Sequence, residues 1–129
     1  MPLVLDDVQR ELVALAREFA QKEIRPVAAH HDETESMPWD VFHKAAEIGL
    51  TCYDIPAELG GGGIEDLVTA CLIAEELNWG DSAIGNLIQS ASFFAGAIVE
   101  LGTEAQRERW VRPLTGPRPV LGALATTEP

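Results

Sequence analysis

The chain has 129 residues, 47% of them hydrophobic, and its 21 acidic and 9 basic residues give a formal net charge of −12. This length and composition are typical of one globular domain with a single core, and the negative charge disfavours nucleic acid as a partner. The two cysteines, Cys52 and Cys71, have neither a paired CxxC motif nor nearby His pairs, so they predict no metal site and no disulfide framework.

The N-terminal residues lack a basic segment followed by an apolar one, so no export signal is predicted. The longest nearly apolar run, residues 91–99, is shorter than a membrane-spanning helix requires, which predicts no membrane span. Together with the unpaired cysteines, these features favour a cytoplasmic protein.

A first amphipathic helix is predicted from Val8 onward, because apolar residues recur there with a period of 3.6. Asp6 and Gln9 form the pattern of a capping box at its start. The apolar pattern continues toward His31, but Pro26 removes one backbone donor and is expected to kink or interrupt the helix.

A second helix is predicted to begin with Pro38 as its first residue, since proline fits that position. It places Trp39, Phe42 and Ala46 on one face. Residues 51–55 then read as a short extended segment.

A third helix is expected to end at Gly80, and Asp81 or Ser82 caps the helix that follows. That fourth helix, residues 83–101, has Glu100 as its only ionised side chain, so we expect other helices to surround it on every face. The third helix is predicted to bury Leu67, Ala70, Cys71, Ala74 and Leu77.

A fifth helix starts at a second capping box, formed by Thr103 and Gln106, and carries Trp110 and Leu114. Residues 120–126 are an apolar run of strand length that has no partner strand in this sequence. The predicted fold class is therefore all-α, with about five helices and one C-terminal β-strand whose sheet lies elsewhere.

Three stretches resemble the acyl-CoA dehydrogenase family, in the family's order and at its spacing. The first is REFAQKEIRPVA at 17–28, and the second is EIGLTCYDIPAELGG at 47–61. The third begins with GTEAQRERWVRPL at 102–114 and ends with GALATTEP at 122–129, within the family's motif. The resemblance implies an N-terminal helical domain at 1–116, and at 117–129 a linker with the first strand of a middle β domain. It predicts the front third of a longer flavoenzyme.

Members of this family oxidise acyl-CoA thioesters in fatty acid β-oxidation. A carboxylate removes the α-proton, the β-hydrogen passes as hydride to FAD, and the electrons leave through an electron-transferring flavoprotein. That carboxylate belongs to the C-terminal domain of the family, so the resemblance implies no catalytic residue in this sequence. It also implies a homo-oligomer, typically a homotetramer, and lipid metabolism as the setting.

The resemblance places Leu124, Thr126 and Thr127 at positions whose backbone and hydroxyl groups bond the flavin ring. The family usually has valine or leucine where Thr126 stands, so this position departs from the pattern. Without the residues that follow in the family, this piece is not expected to hold FAD.

The resemblance also places Gln89, Ser92, Phe93 and Gly96 near the bottom of the acyl-chain pocket. A bulky residue such as Phe93 is expected to favour a short, branched or flat acyl group, because each excluded methylene forfeits about 0.8 kcal/mol of burial. The alternative is that these residues are ordinary core, since apolar residues at helical spacing usually are.

Other motifs have simpler interpretations. The glycines 60–63 lack the Lys-Ser/Thr of a phosphate loop, and the consecutive residues 30–33 do not converge on a metal. The arginines of 107–118 are expected on a solvated face, with contact to a CoA phosphate or a neighbouring subunit as the alternative.

Two further functions remain open at this point. The chain alone is expected to be inactive, and it could instead be a non-catalytic helical assembly module. Flavin monooxygenases and oxidases resemble the same helical domain, so the fold does not decide the reaction.

Overall fold

The computed structural model describes residues 4–125, which form α-helices; most of the helices are joined by short turns, and residues 48–66 make one longer connection. The predicted all-α fold class is confirmed. The helices outnumber the prediction because the first and the fourth predicted helices are each divided in two. The helices are α1 (Asp7–Phe19), α2 (Arg25–Thr34), α3 (Trp39–Glu47), α4 (Leu67–Gly80), α5 (Ser82–Ile88), α6 (Ser90–Leu101) and α7 (Glu104–Trp110).

The first predicted helix begins and is interrupted as expected. Gln9 donates its backbone N–H to Asp6 Oδ1 at 2.8 Å, and Asp6 donates its own to Gln9 Oε1 at 2.9 Å, which completes the capping box. A π-helical turn, Ala20–Ile24, separates α1 from α2. Pro26 lies in the first turn of α2, where a missing N–H costs little.

The main core lies where α4 packs against α1 and α5. Ala16, Ile73 and Leu77 are fully buried there. At the surface of the same contact, the guanidinium groups of Arg17 and Arg25 lie 5.0 and 4.6 Å from the ring centre of Trp79. Apolar burial therefore joins α1 to α4, and the cation–π contacts join both α1 and α2 to α4.

The buried face of α4 differs from the prediction. Leu67 is 74% exposed and Cys71 is exposed, while Thr69, Ile73 and Leu77 face the core. Because α4 is apolar on most sides, the period of its apolar residues could not select one face.

The second predicted helix also needs correction. Pro38 precedes α3 as its N-cap and is not its first helical residue. Phe42 and Ala46 are buried, whereas Trp39 is 45% exposed and stacks on the ring of His43, with the ring centres 5.9 Å apart.

Residues 51–55 were predicted to be extended, and they form hydrogen-bonded turns. Cys52 donates its N–H to Gly49 O at 3.3 Å, and Ile55 donates to Cys52 O at 3.2 Å. The glycines that follow return along this segment, and Gly62 donates to Cys52 O at 2.9 Å. The segment is buried under the returning chain, so backbone turns replace strand pairing.

The fourth predicted helix breaks at Gln89 into α5 and α6. Within the described part of the chain, α6 buries only Ala91 and Ala95, so the expectation of helices on every face is wrong there. By length and mean hydropathy alone, Ser82–Leu101 could cross a membrane, but core helices of globular proteins pass the same test. The absence of a membrane span therefore stays a prediction.

Residues 122–124, close to the end of the described part of the chain, lie beside α6. The capping box of Thr103 and Gln106 is present, and Gly102 ends α6 as predicted. Residues 120–125 form no strand, because no other strand is available to pair with them among residues 4–125. Thr126, the last residue of the predicted strand, lies outside the described residues.

Asp66 caps α4 and ties it to α1, which predicts a pH-dependent contribution to stability. Its side chain accepts from Thr69 N at 3.0 Å and from Gln9 Nε2 at 2.6 Å. Hydrogen bonds from Thr69, first from its hydroxyl and then from its N–H, hold the pKa of Asp66 below its ordinary 3.8. A lowered pKa stabilises the fold above the ordinary pKa, and this contribution is lost as the pH falls through the lowered value.

We therefore expect Asp66→Ala to lower the thermal unfolding midpoint at neutral pH, and the difference from wild type to shrink below pH 3.8. Thermal unfolding followed by circular dichroism over a pH series measures this. Glu65→Ala is the control, because Glu65 has no hydrogen-bond partner among the described residues. A difference that grew toward acid pH would contradict the role given to the carboxylate.

Candidate functional site

A groove beside the start of α6 brings two of the predicted site residues together. Its volume is about 350 Å³. Phe93 and Leu124, which the resemblance placed in the acyl pocket and at the flavin, both line it. The α6 groove, as we call it, is lined by Asn86, Ser90, Phe93, Gly122, Ala123 and Leu124.

Two local features shape the α6 groove. The break at Gln89 ends α5 and starts α6, so Asn86 and Ser90 come from different helices. On the other side, Gly122 packs so closely on Phe94 that a Cβ at this position would lie 2.5 Å from Phe94 Cβ. Because only glycine allows this approach, the segment that carries Leu124 can lie directly against α6.

Gln89 is in the core. It is 5% exposed, its Nε2 donates to Gly85 O at 3.0 Å, and its Oε1 accepts from the hydroxyl of Tyr53 at 3.4 Å. Burial raises the pKa of Tyr53, so this hydroxyl keeps its proton and remains a donor at neutral pH. Gln89 therefore holds the helix break in place, and its amide is used within the fold.

Ser92 and Gly96 lie on another side of α6, in a smaller depression of about 200 Å³. There the hydroxyl of Ser92 donates to Asp54 Oδ1 at 2.6 Å. Gly96 is open to solvent, since a Cβ added to it would meet no atom within 4 Å. The four predicted substrate residues thus occupy three different places in the described structure, and their role in substrate binding stays a prediction.

Sequence reasoning missed four residues that define these sites. Tyr53 holds Gln89, Asp54 binds Ser92, and Asn86 and Ser90 line the α6 groove. Nothing in the uninterrupted apolar pattern of 83–101 signalled the break that turns Asn86 and Ser90 toward one groove. Asp54 was the one available sign of a polar site, because it is the only acidic residue in the stretch 51–55.

The last described residues, 121–125, offer backbone polar groups beside the α6 groove. The backbone of 121–125 makes no hydrogen bond to another described residue, so its N–H and C=O groups can serve a ligand beside the groove. No Lys, Arg or His lines the α6 groove, which therefore offers no counter-charge for a diphosphate. Thr126 and Thr127, the other two residues predicted to contact the flavin, lie outside the described residues.

The described residues form an all-helical domain with the α6 groove at its C-terminal end. The chain belongs to the family described as acyl-CoA dehydrogenase, N-terminal domain, whose model matches residues 6–116. The resemblance seen in the sequence motifs is thereby confirmed.

Individual relatives agree with the family. The chain is 32% identical over 126 residues to the human mitochondrial short-chain specific acyl-CoA dehydrogenase, a match that covers 97% of this chain and 30% of that protein. Butyryl-CoA dehydrogenase from Megasphaera elsdenii is 27% identical with a TM-score of 0.77, over 88% of this chain and 30% of that one. A chain from a structure of the electron transferring flavoprotein of Acidaminococcus fermentans is 28% identical with a TM-score of 0.81, over 92% of this chain and 31% of that one. The chain thus spans about 30% of the curated relatives it matches.

Proposed function

We propose that this chain is the N-terminal helical domain of an FAD-dependent acyl-CoA dehydrogenase. The observation that carries the proposal is the match to a short-chain specific acyl-CoA dehydrogenase over 97% of this chain. The complete protein removes hydrogens from the α- and β-carbons of an acyl-CoA thioester. It passes the electrons to an electron-transferring flavoprotein. One of the structural neighbours comes from a structure of such a protein.

In this proposal the chain forms part of the wall around the acyl group and helps to orient the flavin. Phe93, Ala123 and Leu124 form an apolar surface that excludes water from the acyl group. The backbone around Leu124, together with Thr126 and Thr127, holds an edge of the flavin, which when bound supplies the hydride acceptor. Because the reaction also needs a carboxylate base and the rest of the flavin site, the chain alone has no activity.

The shape of the groove favours short acyl groups. The ring of Phe93, 53% exposed, occupies space that a long chain would need. Gln89 affects the groove only indirectly, through the helix break that it stabilises. Ser92 and Gly96 contact an acyl group only if other parts of the protein close over the depression in which they lie. The proposed substrates are thus short, branched or flat acyl-CoA thioesters.

The test is anaerobic titration of the purified complete protein with butyryl-CoA. We expect the flavin absorbance to be bleached as the thioester is oxidised, because hydride transfer reduces the flavin. The 129-residue chain, expressed alone, is expected to show neither flavin absorbance nor acyl-CoA oxidation. Turnover by the pure 14.0 kDa chain would contradict the proposal.

A second candidate function is a non-catalytic helical assembly module. Exposed apolar side chains near the C-terminal end favour it, among them Phe93, Leu101 and Leu124. Mixing the chain with a separately produced remainder of the dehydrogenase distinguishes the two candidates. Recovery of flavin binding supports a dehydrogenase domain, whereas self-association without flavin binding supports the module. An oxygen-consuming turnover of the complete protein would indicate a flavin oxidase or monooxygenase of the same fold.

A further inference from the structure

The hydroxyl of Ser90 is buried and makes no hydrogen bond to any other described residue. Ser90 begins α6 directly after the break at Gln89, and it lines the α6 groove. Buried polar groups in folded proteins nearly always have a partner, because an unpaired one loses its hydrogen bonds to water without replacement. Because Ser90 lines the groove, a rotation of its side chain toward the groove would give this hydroxyl a partner in a bound ligand.

The surroundings of Ser90 define the chemistry of that partner. Apart from Ser90, the only polar side chain that lines the groove is the amide of Asn86, and the other walls are Phe93, Gly122, Ala123 and Leu124. No charged side chain lines the groove. A carboxylate would thus be desolvated there without a counter-charge, which is costly, whereas a neutral oxygen can bond to the hydroxyl and the amide.

We propose that Ser90 is a specificity-determining residue that donates its hydroxyl hydrogen to a neutral oxygen of the acyl group. This inference rests on the proposed dehydrogenase function. The substrate class is then a short acyl-CoA thioester that carries a hydroxyl or carbonyl oxygen beyond its β-carbon. Phe93 limits the length of the group, and Ser90 and Asn86 select its polar end.

The experiment compares two thioesters of equal length on the complete flavoprotein, 4-hydroxybutanoyl-CoA and pentanoyl-CoA. Because pentanoyl-CoA leaves the Ser90 hydroxyl unpaired, we expect kcat/KM to favour the hydroxylated thioester by at least about 10-fold. Ser90→Ala is expected to bring the ratio close to one, and Ser90→Thr, which keeps a hydroxyl, to restore part of the preference. Ser82→Ala is the matched control, since Ser82 is the exposed first residue of α5, and it should leave the ratio unchanged.

The outcomes separate this inference from the function on which it rests. If both thioesters are oxidised and Ser90→Ala leaves their ratio unchanged, the role of Ser90 is overturned and the dehydrogenase remains. A preference for glutaryl-CoA, whose acyl group ends in a carboxylate, would also overturn the choice of a neutral oxygen. If neither thioester reduces the flavin, the proposed function itself fails.

Discussion

Replacing Leu77 by alanine is expected to lower the free energy of unfolding by about 2–5 kcal/mol. Leu77 has no exposed surface and lies in the core that α1, α4 and α5 share. Alanine would remove buried apolar surface and leave a cavity that rigid neighbouring helices cannot fill. Urea unfolding followed by circular dichroism measures the change.

Leu101→Ala is the control for this experiment. Leu101 is 88% exposed at the end of α6, so its truncation should change the free energy of unfolding by less than about 0.5 kcal/mol. Equal effects of the two substitutions would contradict the assignment of the core to the face of α4 that carries Leu77.

Gly61→Ala is expected to destabilise the fold by about 1–3 kcal/mol or more, because the site is already full. A Cβ at Gly61 would lie 2.2 Å from the backbone oxygen of Ile55 and 2.5 Å from its Cβ. The backbone must then move, and with it the turns that carry Tyr53, the hydrogen-bond donor to Gln89. The damage should therefore extend to the helix break beside the α6 groove.

Gly96→Ala is the matched control for Gly61→Ala. Gly96 lies within α6, and an added Cβ would meet no atom within 4 Å. Because alanine favours helices, this change is expected to be neutral or to stabilise by up to about 1 kcal/mol. Urea unfolding curves for both variants, with Tyr fluorescence or near-ultraviolet circular dichroism as a second probe, give the comparison. If Gly61→Ala left the free energy of unfolding unchanged, the absence of space for a Cβ at this position would be contradicted.

Local signals in the sequence predicted most helix ends. The capping boxes at Asp6 and Thr103, the stop at Gly102 and the interruption before Pro26 each depend on residues close together in the chain. Local hydrogen bonds and steric limits determine such features, so they can be read without knowing the rest of the fold.

The features that failed depend on contacts between distant residues. The buried face of α4 is chosen by α1 and α5, and the break at Gln89 is held by the hydroxyl of Tyr53 from another part of the chain. Residues 51–55 resembled a strand because they are buried, yet the returning glycines satisfy their backbone. A pattern of apolar residues indicates that a segment is buried, but it does not indicate which part of the chain covers that segment.

The candidate site was partly predictable for the same reason. Family motifs named Phe93 and Leu124, and the structure places both in the α6 groove. The unpaired hydroxyl of Ser90 could not be foreseen, since Ser90 lies at the helix break, which the apolar pattern of 83–101 did not signal.

We propose that this chain works as one domain of a larger flavoprotein. The most direct test is the intact mass of the denatured protein isolated from its natural source. The proposal predicts a mass roughly three times 14.0 kDa, since the chain matches 30% of the human relative's length. A mass of 14.0 kDa would contradict it, because no base and no complete flavin site would then be present on the polypeptide.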